Sequence, residues 1–261
     1  MIMFKYYIPL MYTYVTRYKT VFRFLSFLFF TCLPSFYIVV VNNNISFQLI
    51  VNYIVTFIVM YSAYEVGYLF NDIVTIQFEQ NPTLRINKKY IDILPKHLEN
   101  MLTVRFAAIV IGCFFLQNYV FNIDIFIVAL LLLFITYSLH NFFRSRINII
   151  TMFLLVLLKN LILIIPFMND EFYQIMIVVL FSIVFIRTYE FATKDRFKLL
   201  SPIKDIDFFR IKYYLIVLLF IFILYTTHFM PMKYLYIFLI FLVYRLFTYL
   251  LLKKQVLKRN K

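Results

Sequence analysis

The most chemically loaded stretch of the chain is Tyr64-Glu65-Val66-Gly67-Tyr68-Leu69-Phe70-Asn71-Asp72, continued by Thr75, Glu79 and Asn81-Pro82-Thr83-Leu84-Arg85. On a helix, Glu65, Tyr68, Asp72, Thr75 and Glu79 recur at three- and four-residue steps and share one face. Glu65 falls inside an apolar run, where an ionisable group is costly and marks a polar cavity. Carboxylates one turn apart suit Mg2+, a hard ion that takes oxygen ligands and bridges to phosphate. A juxtamembrane helix whose Asp72 and Glu79 merely face water has the same spacing.

Other charged groups gather in three further places. Arg187, Glu190, Lys194 and Asp195 lie together, where Glu190 and Lys194 at i,i+4 read plainly as a surface pair worth only ~0.2–0.5 kcal/mol. Tyr137-Ser138 precede Arg144-Ser145-Arg146. The guanidinium forks there suit phosphate oxygens, and simple anchoring by positive charge is the competing account. Lys159-Asn160 fall in the middle of an apolar run, where a cation needs a carboxylate, a phosphate or a water-filled cavity. Arg105 and Arg245 lie near the ends of such runs and are expected to snorkel to the interface. His97, His140 and His228 are too widely spaced for a metal set, and Cys32 and Cys113, both in apolar runs, form neither a disulfide framework nor a metal site.

The elements that must position these residues follow from composition. Of 261 residues, 64% are hydrophobic and only 15% charged, with a mean hydropathy of +0.88. A soluble domain carries about 25% charged residues, so a water-soluble enzyme, a nucleic-acid-binding domain and a disordered chain are all excluded. Glycine occurs only at Gly67 and Gly112, which removes glycine-rich phosphate loops and the GxxxG pairing motif. A helix needs about 20 apolar residues to cross the bilayer. By that ruler eight spans run from Val21 to Val41, Phe47 to Phe70, Leu102 to Tyr119, Ile125 to His140, Ile149 to Phe167, Phe172 to Phe191, Ile211 to Thr227 and Met232 to Leu252. The runs are too long and too continuously apolar for a membrane barrel, and the first is too long for a signal peptide.

The formal charge of +14 is distributed by side rather than clustered. Lys5, Arg17, Lys19 and Arg23 precede the first span, and Arg85, Lys88, Lys89 and Lys96 follow the second. Arg144 and Arg146, the basic residues from Arg187 to Lys212 and the Lys253–Lys261 tail complete the same side. Asn42–Ser46, Val120–Asp124, Met168–Glu171 and His228–Pro231 carry no Lys or Arg. The positive-inside rule then places both termini and the Asn71–Asn100 and Lys194–Arg210 connections in the cytoplasm. The expected fold is an all-α polytopic bundle, a single integral membrane domain over 1–261.

Together these motifs resemble the UbiA superfamily of intramembrane prenyltransferases. Asn71-Asp72-x-x-Thr75-x-x-x-Glu79, with Asn81-Pro82-x-x-Arg85 after it, is similar to the family's first aspartate-rich motif, N-D-x-x-D-x-x-x-D with a Pro/Arg segment. Asp72 matches, Glu79 is conservative and Thr75 replaces the middle acid. In the second motif, D-x-x-x-D, Glu190 stands for the first acid and Lys194 for the second, with Asp195 beside it. Tyr137, Arg144 and Arg146 look like the family's helix end that contacts diphosphate. The family commonly has nine spans, against eight counted here.

The resemblance implies an enzyme that moves a polyprenyl group from a Mg2+-bound polyprenyl diphosphate to an unidentified acceptor, with no role for nucleic acid. Its metal ligands would be Asp72, Glu79, Glu190 and Asp195, and Lys194 in place of an acid points to one Mg2+ rather than two. Asn71, Arg85, Tyr137, Arg144, Arg146, Lys159, Arg187 and Lys194 would bind substrate, and Glu65 or Tyr68 would orient or deprotonate the acceptor. The expected setting is a bacterial cytoplasmic membrane, with the site facing the cytoplasm and membrane lipids around it. Phosphoribosyl-type transfer onto a polyprenyl phosphate, and a non-catalytic lipid-binding relative, are the alternatives.

Overall fold

Long runs of Leu, Ile, Val and Phe leave the backbone no hydrogen-bonding partner in hydrocarbon except itself, and helices satisfy it within each run. The computed structural model describes residues 3–78, 84–87, 90–143, 145–168, 171–194, 197 and 201–254. No strand occurs among the described residues. The helices are α1 (Val21–Asn42), α2 (Phe47–Leu69), α3 (Leu98–Leu116), α4 (Ile123–Phe142), α5 (Ile147–Ile162), α6 (Phe172–Val179), α7 (Phe185–Ala192), α8 (Ile206–Thr226) and α9 (Met232–Lys253). A π-helical turn, Leu180–Val184, joins α6 to α7. Among the described residues, eight helical runs are long and apolar enough to cross a membrane, as the hydropathy predicts.

The second run extends further than the sequence suggests. Beyond α2 it continues through a π turn, Phe70–Val74, and a 3-10 turn, Thr75–Phe78. The third begins early, in a 3-10 turn at Leu94–His97. Hydropathy drops where polar residues start, but the backbone keeps its helical bonds, so Asp72 belongs to a helix rather than to a loop.

The chain forms two compact units, Met1–Asn169 and Asp170–Lys261. In the first, α2 is the axis: 67% of its apolar window is buried, against 17% for the run containing α3. It packs on α3, α4 and α5. Both glycines serve this packing. A Cβ on Gly67 would overlap the Tyr137 ring of α4, and one on Gly112 of α3 would overlap the Val59 side chain of α2. Pro34 inside α1 lacks a backbone donor. The neighbouring Cys32 carbonyl accepts from the Ser35 hydroxyl at 3.1 Å and from the Tyr53 hydroxyl of α2 at 2.9 Å.

The residues before α1 also belong to this unit. A 3-10 turn (Met3–Tyr6), a helical turn (Met11–Thr13) and a π turn (Tyr14–Tyr18) lead to the Thr20 N-cap of α1. Tyr6 and Tyr12 are buried with Leu69, Ile73, Ile86, Tyr90, Leu94 and Met101, which closes a core over the C-terminal end of α2. Leu10 and Lys19 both have positive φ, at 70° and 60°, a conformation a side chain adopts only when its surroundings enforce it.

In the second unit, α8 and α9 pair as a hairpin, and α9 also meets the π turn. Two carbonyls of the π turn take donors from outside it. Tyr213 and Tyr214 of α8 supply them, donating to Phe181 O at 2.6 Å and Ser182 O at 2.8 Å. Glu171, just before α6, accepts from Lys233 Nζ and from the Tyr234 hydroxyl at 2.6 Å. Burial pushes its carboxyl up, but these two donors outweigh burial and hold it below the ordinary value.

Two outcomes follow. Gly67→Ala should lower stability by about 1–3 kcal/mol through overpacking, and adding Tyr137→Ala should recover part of the loss; thermal unfolding in detergent decides, and an unshifted midpoint refutes the contact. Glu171 adds stability above the ordinary carboxylate pKa of about 4.3, which is lost as pH falls through its lowered folded value. Glu171→Gln should remove that acid-side slope from a pH series of unfolding midpoints.

Candidate functional site

Asp72 lies in the π turn that ends α2, and Arg17 lies in the π turn before α1. Such turns are rare and frequent at functional sites. The Arg17 fork meets the carboxylate with both ends, Nη1 to Oδ2 at 2.7 Å and Nη2 to Oδ1 at 3.0 Å. The Tyr12 hydroxyl donates to Oδ2 at 3.0 Å and the Asn71 amide to Oδ1 at 3.1 Å. Arg85 approaches Oδ1 at 3.5 Å. The Asp72 side chain is 1% exposed, Arg17 12% and Arg85 39%. Two guanidiniums against one carboxylate leave one net positive charge, on the more exposed side at Arg85.

The electrostatics keep these partners in their donor forms. Burial works against the charge of Arg17, yet the Asp72 carboxylate, aided by Tyr68, raises its pKa above the ordinary value. The Arg17 guanidinium also sits 4.0 Å from the centre of the Tyr68 ring. Burial, and after it the Asp72 charge, pushes the Tyr12 phenol well above its usual pKa, so it remains protonated. The Thr75 hydroxyl turns back to Asn71 O at 3.2 Å.

Two turns deeper, Glu65 and Arg105 are both fully buried and meet at 3.1 Å. The other Glu65 oxygen accepts from Thr13, from its N–H at 2.8 Å and its hydroxyl at 2.6 Å. Arg105 donates to Tyr7 O at 2.8 Å, Tyr6 O at 2.9 Å and Met101 O at 3.1 Å. The expectation that Arg105 snorkels is thus corrected. A carboxylate and three carbonyls reach its two terminal nitrogens inside the protein, while its Nε is buried without a partner. Glu65, read from sequence as a group for the acceptor, is held by Thr13 of the N-terminal segment and by Arg105.

Aromatic rings line the same face of α2. Tyr64, Tyr68 and Tyr137 stand edge to face, with centroids 5.1 to 5.9 Å apart. The Lys159 ammonium of α5 lies 5.5 Å from the Tyr64 ring and 6.0 Å from the Phe27 ring. The first unit thus holds Glu65, Tyr68, Asn71, Asp72, Arg85, Tyr137 and Lys159, while Arg146 is exposed where α5 begins. Glu79, Arg144 and Asp195 lie outside the described residues.

Arg187, Glu190 and Lys194 belong to the second unit. Glu190 of α7 receives the Arg210 fork of α8, with Nη2 at 2.9 Å, and Arg187 at 3.4 Å. Arg210 also meets Asp207 at 3.4 Å. The Lys194 ammonium lies 4.5 Å over the Phe191 ring.

Mg2+ does not fit Asp72 as it is placed. Its oxygens are taken by Arg17, Tyr12 and Asn71, with Arg85 beside them. Among the described residues, no three of His, Cys, Asp and Glu come together. Compared with known proteins, the chain matches no family model, no curated protein and no solved structure.

Tyr12, Thr13 and Arg17 are the site residues that sequence reasoning missed. Arg17 reads as part of a basic flank, and no local spacing pairs it with an acid 55 positions away. Removing one partner of a buried pair costs about 3–5 kcal/mol, so Glu65→Gln and Arg105→Met should each destabilise by that order. The double variant should lose less than the sum, because neither charge is then left alone. Strict additivity in denaturant unfolding would show that the two side chains do not act as a pair.

Proposed function

We propose that this chain is a divergent UbiA-like intramembrane transferase that handles a polyprenyl diphosphate and passes the prenyl group to an acceptor. The observation that carries the reading is the net positive charge at the polar end of α2, where half-exposed Arg85 stands over the buried Asp72–Arg17 pair. That charge suits a phosphate whose hydrocarbon chain stays among apolar helices. The one-sided Lys and Arg distribution supports placing this end in the cytoplasm.

In this reading the guanidinium groups meet the phosphate oxygens. The allylic C–O bond breaks and its electron pair leaves with the diphosphate, whose growing charge Arg85 stabilises. The cationic carbon stays among the apolar helices, which exclude water from it. The acceptor forms the new bond to that carbon and gives up its proton to the departing diphosphate. Glu65 acts here by holding the N-terminal segment in place. Since Mg2+ does not fit Asp72, no step passes through a metal.

The saturation of Asp72 by Arg17 favours one second reading, a relative that binds a phosphate-bearing lipid without turnover. Native mass spectrometry of the purified protein, followed by transfer assays with labelled polyprenyl diphosphate, separates the two. A co-purified polyprenyl diphosphate, with transfer reduced at least ~10-fold in Arg85→Ala by loss of a charge-assisted contact, is the expected result. Bound lipid phosphate without transfer to any acceptor supports the second reading. Absence of any phosphate-bearing lipid counts against both.

A further inference from the structure

The strongest unexplained feature is how completely the N-terminal segment is tied to α2. We propose that Arg17, carried in on Met3–Tyr18, is the resident cation of Asp72 and excludes divalent metal from that carboxylate, so that the segment is a strap locked over the C-terminal end of α2.

Three observations carry this independently of any reaction. First, an ionised carboxylate offers about four lone-pair sites, and four donors occupy them: both ends of the Arg17 fork, the Tyr12 hydroxyl and the Asn71 amide. A metal ion could bind an Asp72 oxygen only by displacing one of these, against the repulsion of Arg17 and Arg85. Second, Arg17 cannot withdraw alone. Tyr12 and Thr13 sit on the same segment, Tyr12 on the same carboxylate and Thr13 on Glu65. Arg105 holds the Tyr6 and Tyr7 carbonyls, and the Tyr7 hydroxyl meets His97 Nδ1 at 2.7 Å. Third, Leu10 and Lys19, inside and just after the segment, both take left-handed backbone conformations. Such strain persists only where surrounding contacts overdetermine the path. Arg17 is therefore a positioning residue: it fixes the charge of Asp72 and the place of the strap.

The test uses the full-length protein in detergent, with Mn2+ titration followed by electron paramagnetic resonance and with limited trypsin cleavage at Arg17 and Lys19. Wild type and Asp72→Asn should leave the same fraction of Mn2+ free. Cleavage at Arg17 and Lys19 should be at least ~10-fold faster in Asp72→Asn, because a buried charge pair that held the strap is gone. Arg17→Lys keeps the charge and gives up the fork, so it should fold and show cleavage between the two. Should Asp72→Asn fail to fold, Arg17→Lys against wild type still reads the strap. One equivalent of Mn2+ bound by wild type and lost in Asp72→Asn overturns the proposal. Equal cleavage in wild type and both variants overturns it as well.

Discussion

The first unit depends on neutralising two acids, Glu65 and Asp72, on its most buried helix. An ionised carboxylate in an apolar bundle is tolerated only when cations and hydrogen-bond donors reach it there. The chain brings the donors from outside the helix: Arg105 from α3, and Thr13, Tyr12 and Arg17 from the segment before α1. This single requirement accounts for the folded N-terminal segment, for the strain at Leu10 and for a fully buried arginine facing α2. Tyr6 and Tyr12, on the same segment as these polar anchors, pack into the core over the end of α2.

The same accounting explains the departures from regular helix. Side chains of a neighbouring element add donors to backbone carbonyls near such departures, Tyr53 to Cys32 O in the Pro34 region and Tyr213 and Tyr214 at the π turn before α7. In hydrocarbon no water can fill that role. Glycine is spent just as sparingly. Both residues sit where α2 meets a neighbour too closely for a Cβ, one against Tyr137 and one against Val59.

Charge pairing also shapes what the candidate site can do. At Asp72 the acid is subordinate to the guanidinium groups, and the surplus is positive. At Glu190 the balance is even, since Arg210 and Arg187 face Glu190 while Arg210 also meets Asp207. At Asp72 the surplus of positive charge disfavours a further cation on that carboxylate.

Composition and hydropathy alone determined the fold class, the eight spans and most of their limits, because an apolar run of about 20 residues in lipid has few alternatives to a helix. The spacing of Glu65, Tyr68 and Asp72 likewise placed them on one helical face, since that periodicity is local. Only the tertiary structure decided what those acids face. Arg17 pairs with Asp72 across 55 residues, and Arg105 with Glu65 across 40. Such partners are chosen by how the N-terminal segment and α3 pack on α2, and that packing leaves no mark in local spacing. The basic residues before α1 therefore read as topology, while in the folded chain one of them completes the site.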